Sequence, residues 1–273
     1  MALVLNKLQE YKIPDELFDE AYNNIDPEIK GLIKKSIEIN YNFITQVYGQ
    51  KGESFCIHQY KSFELNNVNK KKSVILYIQE NISAVHLISS LLFLKILDIE
   101  HIVISNFKSP PHKLLLTLEL VGEFDVYNLN EESFLQILSY SEDYFKIFFR
   151  NVPKGFYGKD FEILTPPANA LIIKDKENRN KKIDKNKILF SHPLINIKEF
   201  DFSTALEEKL KKEINDTSVI YSEVKLPPTL LEKINCVVLG PGLELLWVWH
   251  NLKEDVLFQK TPMYWLRFGD TPN

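Results

Sequence analysis

The stretch S-V-I-L-Y-I at residues 73–78 decides the fold that the sequence predicts. It is a short, continuous run of β-branched and apolar residues, which is typical of a strand buried on both faces of a parallel sheet. Ser83 then stands where a helix N-cap belongs, and residues 84–97 are apolar enough for a buried helix. A strand followed directly by a helix is the first half of a right-handed βαβ unit.

The same alternation continues on both sides of this stretch. Upstream, Asp26-Pro27 is typical of a helix start, and apolar residues recur at helical spacing to Val47. Downstream, the patterns predict strands at 101–105, 125–127, 170–173, 219–221 and 236–239, and helices at 111–121, 131–139, 204–214 and 243–250. We therefore predict an α/β protein: two Rossmann-like α/β units with parallel sheets and a long N-terminal helix, divided into residues 1–150 and 151–273.

Composition excludes several classes of partner and compartment. The 33 Lys and Arg residues against 37 Asp and Glu residues give a net charge of -4, so no overall positive field attracts nucleic acid. The two cysteines form no C-x-x-C pair, which argues against a disulfide framework and against a cysteine-based zinc site. The N-terminus lacks a secretory pattern, and no apolar run reaches the roughly 20 residues that span a bilayer. We expect a soluble, cytoplasmic protein without nucleic-acid or membrane partners.

Few residues carry an obvious chemistry. No glycine-rich nucleotide motif follows a predicted strand, and none of the six histidines has metal-ligand spacing. His192 lies in a predicted loop between β/α elements, where sites in such folds collect, although a lone histidine is more often structural. Glu254-Asp255 offers acid/base groups, with simple solvent exposure as the alternative. The segment 174–187 holds seven Lys and Arg residues against three Asp and Glu residues, which indicates a solvated loop.

Four segments, taken in order, carry a family resemblance: INYNFITQ at 39–46, LYIQENISA at 76–84, TPPANALIIKD at 165–175 and LRFGDTP at 266–272. They resemble the segments I-x-x-F-H-x-x-Q, L-Y-(I/V)-P-G-G-x-A-P, P-A-G-P-S-E-V-L-V-I-A-D and F-L-G-x-x-(T/S)-P of histidinol dehydrogenases. The resemblance implies two stacked α/β units, and it identifies the chain as a truncated, degenerate relative of that family.

The departures from the family pattern bear on activity. Gln79, Glu80, Asn81 and Ser83 stand at the loop where glycines of the family receive the cofactor NAD. Side chains there occupy space that a pyrophosphate needs, and a carboxylate repels it. The resemblance therefore names these four residues as the candidate cofactor-binding loop and implies that NAD binding is weakened or lost.

Two further departures concern zinc and proton transfer. The family's zinc-ligand segment S-Q-A-E-H has its nearest counterpart at 189–192, where only His192 remains. The acid/base segment P-E-H aligns with Lys253-Glu254-Asp255, which keeps a carboxylate and loses the imidazole. The resemblance makes His192 and Glu254 the candidate catalytic residues, and it implies that no metal site and no resident cofactor are retained.

Three functions remain open from the sequence. The favoured one is a pseudoenzyme related to histidinol dehydrogenase that acts as a binding or scaffold protein for an unidentified small molecule or protein. The second is a remnant NAD-dependent oxidoreductase with Glu254 as base. The third is a structural subunit that docks a partner through its aromatic C-terminal part, Trp247, Trp249, Tyr264 and Trp265. The apolar residues crowded between 243 and 268 also predict a homodimer.

Overall fold

The computed structural model describes residues 2–48, 54–58, 61–64, 73–79, 81–141, 143–158, 160–175, 182–202, 207–232, 234–249 and 265–266. The helices are α1 Ala2–Leu8, α2 Asp15–Asn24, α3 Pro27–Tyr48, α4 Ala84–Ile96, α5 His112–Val121, α6 Glu131–Ser139, α7 Lys185–Ser191, α8 Glu207–Asn215 and α9 Pro228–Leu231. The strands are β1 Ser54–His58, β2 Lys61–Glu64, β3 Val74–Gln79, β4 His101–Asn106, β5 Val126–Asn128, β6 Phe145–Phe149, β7 Phe161–Leu164, β8 Asn169–Lys174, β9 Asn196–Asp201, β10 Val219–Ser222, β11 Val237–Leu239 and β12 Trp265–Leu266.

Two five-stranded parallel sheets form the frame. The first has the order β5-β4-β3-β6-β7, and the second has the order β12-β11-β10-β8-β9. The predicted strand 73–78 is the central strand β3 of the first sheet, and its residues 74–78 are buried. The predicted α/β class with two Rossmann-like parallel sheets is confirmed.

The chain passes from the first sheet to the second within residues 165–168. Strand β7, at Phe161–Leu164, still pairs with β6 of the first sheet, whereas β8 begins the second sheet at Asn169. The division of the chain at residues 150 and 151 into two domains stays a prediction.

A layer of helices lies between the two sheets. One apolar core holds inward-facing residues of the first sheet, such as Leu76 and Ile147, with residues of the second sheet, such as Ile172 and Val237. Buried residues of α3, α4, α5 and α7 belong to the same core. The other face of the first sheet packs on α1 and α6, and the other face of the second sheet packs on α8 and α9. The two sheets therefore share the core between them.

Helix boundaries follow the predicted capping signals. The Ser83 hydroxyl accepts a hydrogen bond from the His86 N–H at 3.1 Å and caps α4. The Asn130 side chain caps α6 in the same way, and Gly122 ends α5 in a left-handed conformation with φ of 78°. None of the helices in the described ranges combines the length and apolarity that crossing a bilayer demands.

The predicted helix at 243–250 is wrong. Residues 243–249, which we call the strap, form turns and irregular backbone, and all seven are buried. A helix would bond the strap's carbonyl groups to its own N–H groups, but side chains of α3, α4 and α7 bind these carbonyl groups instead. The predicted loop at 174–187 is also wrong at its end, because α7 begins at Lys185.

Candidate functional site

A buried pair of histidines joins the two halves of the chain. His86 lies in the first turn of α4, which follows the central strand of the first sheet, and His192 follows α7. His86 Nε2 and His192 Nδ1 are 2.8 Å apart and form a hydrogen bond, and each histidine is 2% exposed. His192 Nε2 also lies 3.1 Å from the hydroxyl of Tyr221, a residue of β10 in the second sheet. A chain of hydrogen bonds thus crosses the core from one sheet towards the other.

Two indole rings of the strap enclose this pair. The Trp247 ring contacts both histidine rings, with centroid distances of 5.4 Å to His86 and 4.9 Å to His192. The Trp249 ring lies 5.1 Å from His86 and 5.8 Å from Phe149 at the end of β6. The Trp249 indole N–H donates a hydrogen bond to the His86 carbonyl at 3.3 Å. The imidazoles therefore face aromatic carbon rather than water.

Burial holds all three titratable groups in their neutral forms. Desolvation, with smaller effects from His192 and Arg150, lowers the pKa of His86 well below its ordinary value. Desolvation also lowers the pKa of His192 to about 3. It raises the pKa of the Tyr221 hydroxyl, and Glu244 adds to that rise. The pair is therefore uncharged near neutral pH and makes a poor proton shuttle.

The strap is fixed by side chains that bind its backbone. Ser36 and Asn40, both on α3, donate hydrogen bonds to the Leu245 carbonyl at 2.9 and 3.0 Å. Ser89 of α4 donates to the Trp247 carbonyl at 2.8 Å, and the Trp247 N–H donates to the Asn40 side-chain oxygen at 3.3 Å. Ser191 of α7 completes the set with a bond to the Glu244 carbonyl at 2.6 Å. These buried backbone groups of the strap thus have hydrogen-bond partners although the strap is not a helix.

The candidate cofactor loop lies at the carboxyl end of β3. Burial raises the pKa of the Tyr77 hydroxyl, and the nearby Asn106 and Gln79 side chains act against this rise. Asn81 is exposed, and the Ser83 hydroxyl is occupied as the cap of α4. Glu80 lies outside the described residues. The prediction that this loop binds a cofactor weakly stays a prediction.

Glu254, one of the two candidate catalytic residues, lies outside the described residues, as does Tyr264. His192 is described and is enclosed in the core. Trp247 and Trp249 are 1% and 3% exposed, so these two rings are not a docking surface. The homodimer stays a prediction, and the apolar residues 243–249 that favoured it are buried within one chain.

The histidine pair does not fit a zinc site of the kind that the family resemblance suggests. Both ring nitrogens of His192 are already bound to protein groups. Two imidazole nitrogens on one tetrahedral zinc stand roughly 3.3 Å apart, given Zn–N bonds of about 2.0–2.1 Å, and the two here are 2.8 Å apart. The buried carboxylate Glu244 accepts hydrogen bonds at Oε1 from the N–H groups of Asp184 and Gly242. The described residues contain no group of three or more His, Cys, Asp and Glu that could hold a metal ion.

Sequence reasoning missed His86 and Tyr221, the two residues whose side chains bind the ring nitrogens of His192. A faint signal existed for His86, since it is the one ionisable side chain in the first three turns of an otherwise apolar helix. Nothing in the sequence joins His86 to His192, because 106 positions separate them. Nothing in the sequence distinguishes Tyr221 from other strand residues.

Comparison of the sequence with protein-family models gives no match, and comparison with curated proteins gives none either. Among solved structures, the chain is similar to the crystal structure of histidinol dehydrogenase from Elizabethkingia anophelis. The TM-score is 0.52, the sequence identity is 10%, and the match covers 86% of this chain and 67% of that chain. At this identity the likeness concerns the fold: the chain has a histidinol-dehydrogenase-like α/β architecture.

Proposed function

We propose that this chain is a non-catalytic protein with a histidinol-dehydrogenase-like fold, which acts as a binding or scaffold protein. The observation that carries the proposal is the state of His192. Its two ring nitrogens bind His86 and Tyr221, it is 2% exposed, and burial lowers its pKa to about 3. Such an imidazole has no free lone pair for a metal and no access to a substrate proton.

The strap supports the same proposal. Parallel α/β sheets bind ligands in the crevice beyond the carboxyl ends of their strands. Here the strap follows β11 of the second sheet, and its Trp249 ring reaches Phe149 at the carboxyl end of β6 of the first sheet. Side chains of the strap thus occupy part of the space beyond these strand ends. Such packing is suited to a protein that holds its two sheets in a rigid arrangement.

We expect the purified protein to bind no stoichiometric zinc and to show no histidinol dehydrogenase activity with added zinc and either nicotinamide cofactor. The physical reason is that a zinc ion would have to replace a hydrogen bond of His192 inside the core. Metal analysis after dialysis against zinc, together with an assay for hydride transfer, measures both. His112 is more exposed and serves as the matched control. One zinc per chain that is lost in His192→Ala and kept in His112→Ala would overturn the proposal.

Dinucleotide binding tests the proposal against a remnant oxidoreductase. We expect NAD to bind no tighter than about millimolar, a free energy of only about -4 kcal/mol. Gln79 and Glu80 stand where a pyrophosphate needs close backbone N–H groups. Calorimetric titration measures the affinity. Binding that appears in the Gln79→Gly, Glu80→Gly double variant supports a blocked loop, whereas micromolar binding to the unaltered chain favours the oxidoreductase.

A further inference from the structure

A groove of about 710 Å³ lies on the first sheet, on the face opposite to the histidine pair. Its apolar wall is Leu135 and Leu138 of α6, and its other wall is formed by residues 155–158 and Asp160. Lys146, near the amino end of β6, lies in the lining. The helix α6 packs on the face of the sheet that carries Phe148, whereas α4 with His86 packs on the other face. A groove of this volume is in the range that holds a small organic ligand.

Two glycines give the second wall its shape. Gly155 has a φ of 85°, a left-handed conformation that other residues rarely adopt. At Gly158 a Cβ atom would lie 2.2 Å from the Phe156 ring, so a larger residue there would displace this ring. The ring itself is wedged against Phe148 and Phe161, at centroid distances of 5.1 and 5.5 Å. The wall is thus anchored through Phe156.

Tyr157 stands between these fixed positions and points away from the core. Its side chain is 96% exposed, the largest exposure of any large apolar or aromatic residue in the described ranges. The adjacent backbone is tied to α6, because the Lys154 N–H donates a hydrogen bond of 2.6 Å to Glu131 at the start of that helix. A large ring displayed beside a groove offers contact area to a ligand.

The charges of the groove favour a positive ligand. Its lining contains two carboxylates, Asp143 and Asp160, against one cation, Lys146, which is 5% exposed. Lys146 can offset the charge of one carboxylate, and the second leaves the lining negative. Helix α6 ends at Ser139, also in the lining, so the negative end of its dipole adds to this field.

The neighbouring Tyr140 ring already contacts a cation. The Lys7 ammonium lies 3.8 Å from the centroid of the Tyr140 ring, directly after the end of α6. An ammonium group over a tyrosine face is attracted by the negative face of the ring. Tyr157 offers the same chemistry in the groove, without a lysine of the described residues over its ring.

We propose that this groove binds a small organic cation with an aromatic or aliphatic body. The cationic head lies by the Tyr157 ring and the carboxylate of Asp143, and the apolar body lies against Leu135 and Leu138. The groove lies near the amino end of β6, whereas the histidine pair follows the carboxyl end of β3. The site therefore goes beyond the proposed function, and neither proposal falls with the other.

Calorimetric titration of the full chain with benzyltrimethylammonium tests the site. We expect saturable binding with a dissociation constant on the order of a millimolar or tighter, and no binding of benzoate, which has a similar body and the opposite charge. Tyr157→Ala is expected to weaken binding by about fivefold or more, and Asp143→Asn by about threefold, since each removes one attraction for the cation. Both residues are exposed, so the fold tolerates these changes.

Tyr22→Ala is the matched control, because Tyr22 is an exposed tyrosine whose ring lies under Lys30 in another part of the protein. We expect this variant to bind the cation like the unaltered chain. Three results would each overturn the proposal: no saturable binding of the cation, equal binding of benzoate, or an affinity that Tyr157→Ala leaves unchanged.

Discussion

The free energy of unfolding is expected to fall by about 3 kcal/mol between pH 6.5 and pH 5 because of the two buried histidines. In the unfolded chain, His86 and His192 take up protons near their ordinary pKa of 6.5. In the folded chain, burial lowers both pKa values, to about 3 for His192, so neither is protonated in this range. The unfolded state then binds more protons, and acid favours it.

Other titratable groups change the free energy of unfolding in other pH ranges, so the measurement is limited to pH 6.5 to 5. The pKa of His101 is raised by its bonds to Glu123 and to the Ile99 carbonyl, although burial acts against the rise. Its contribution is therefore complete below pH 6.5 and is lost as the pH rises above that value. Glu123 and Glu199 have lowered pKa values, so their contributions are lost only as the pH falls below about 4.5. Between pH 6.5 and 5 the histidine pair dominates.

Urea denaturation followed by circular dichroism at a series of pH values measures this slope. His86→Leu removes one of the two histidines and is expected to reduce the slope by about half. His112→Gln is the control, because His112 has a side chain that is 42% exposed. A free energy of unfolding that is constant from pH 6.5 to pH 5 would contradict neutral burial of the pair.

Trp247→Ala is expected to lower the free energy of unfolding by about 3–5 kcal/mol. The Trp247 side chain is 1% exposed and packs on His86, His192 and Trp249, so its removal leaves a cavity between the sheets. Tyr41→Ala removes an aromatic ring that is 51% exposed, and it is expected to change the free energy of unfolding by less than about 1 kcal/mol. Equal effects of the two substitutions would show that the strap is not packed as described.

Phenylalanine substitutions separate packing from hydrogen bonding in the same segment. The buried Trp247 indole N–H has no hydrogen-bond partner among the described residues, whereas the Trp249 indole N–H donates to the His86 carbonyl. Trp249→Phe removes a bond and leaves a buried carbonyl with one partner fewer. We therefore expect Trp249→Phe to be more destabilising than Trp247→Phe.

The central parts of the fold could be predicted because local patterns specify them. Strand β3 is a pure apolar run, and α4, α5 and α6 have side-chain or glycine caps at the predicted positions. Strands β6 and β9 lacked such signals. β6 contains a buried lysine, Lys146, and β9 is a sheet edge with mostly exposed residues, so neither shows a clean apolar pattern.

The candidate site could not be predicted to the same extent, because long-range contacts create it. The strap residues have the apolar spacing of a helix, but the side chains of Ser36, Asn40, Ser89 and Ser191 bind the carbonyl groups of an irregular backbone there. The loop position of His192 makes it a candidate site residue, but its hydrogen-bond partners lie on elements that are far away in the sequence. A sequence pattern reports local preference, and here tertiary hydrogen bonds override it.

The bonds between α3 and the strap also set an order of events during synthesis. Ser36 and the Leu245 carbonyl, which form one of these bonds, are 209 positions apart. At about 5–20 residues per second, the strap leaves the ribosome roughly 10–40 s after α3. Until then Ser36 and Asn40 lack their partners in the strap, and the helices on the inner face of the first sheet lack the second sheet. The N-terminal half therefore completes its packing only after the strap has been made, which gives chaperones a long interval in which to bind it.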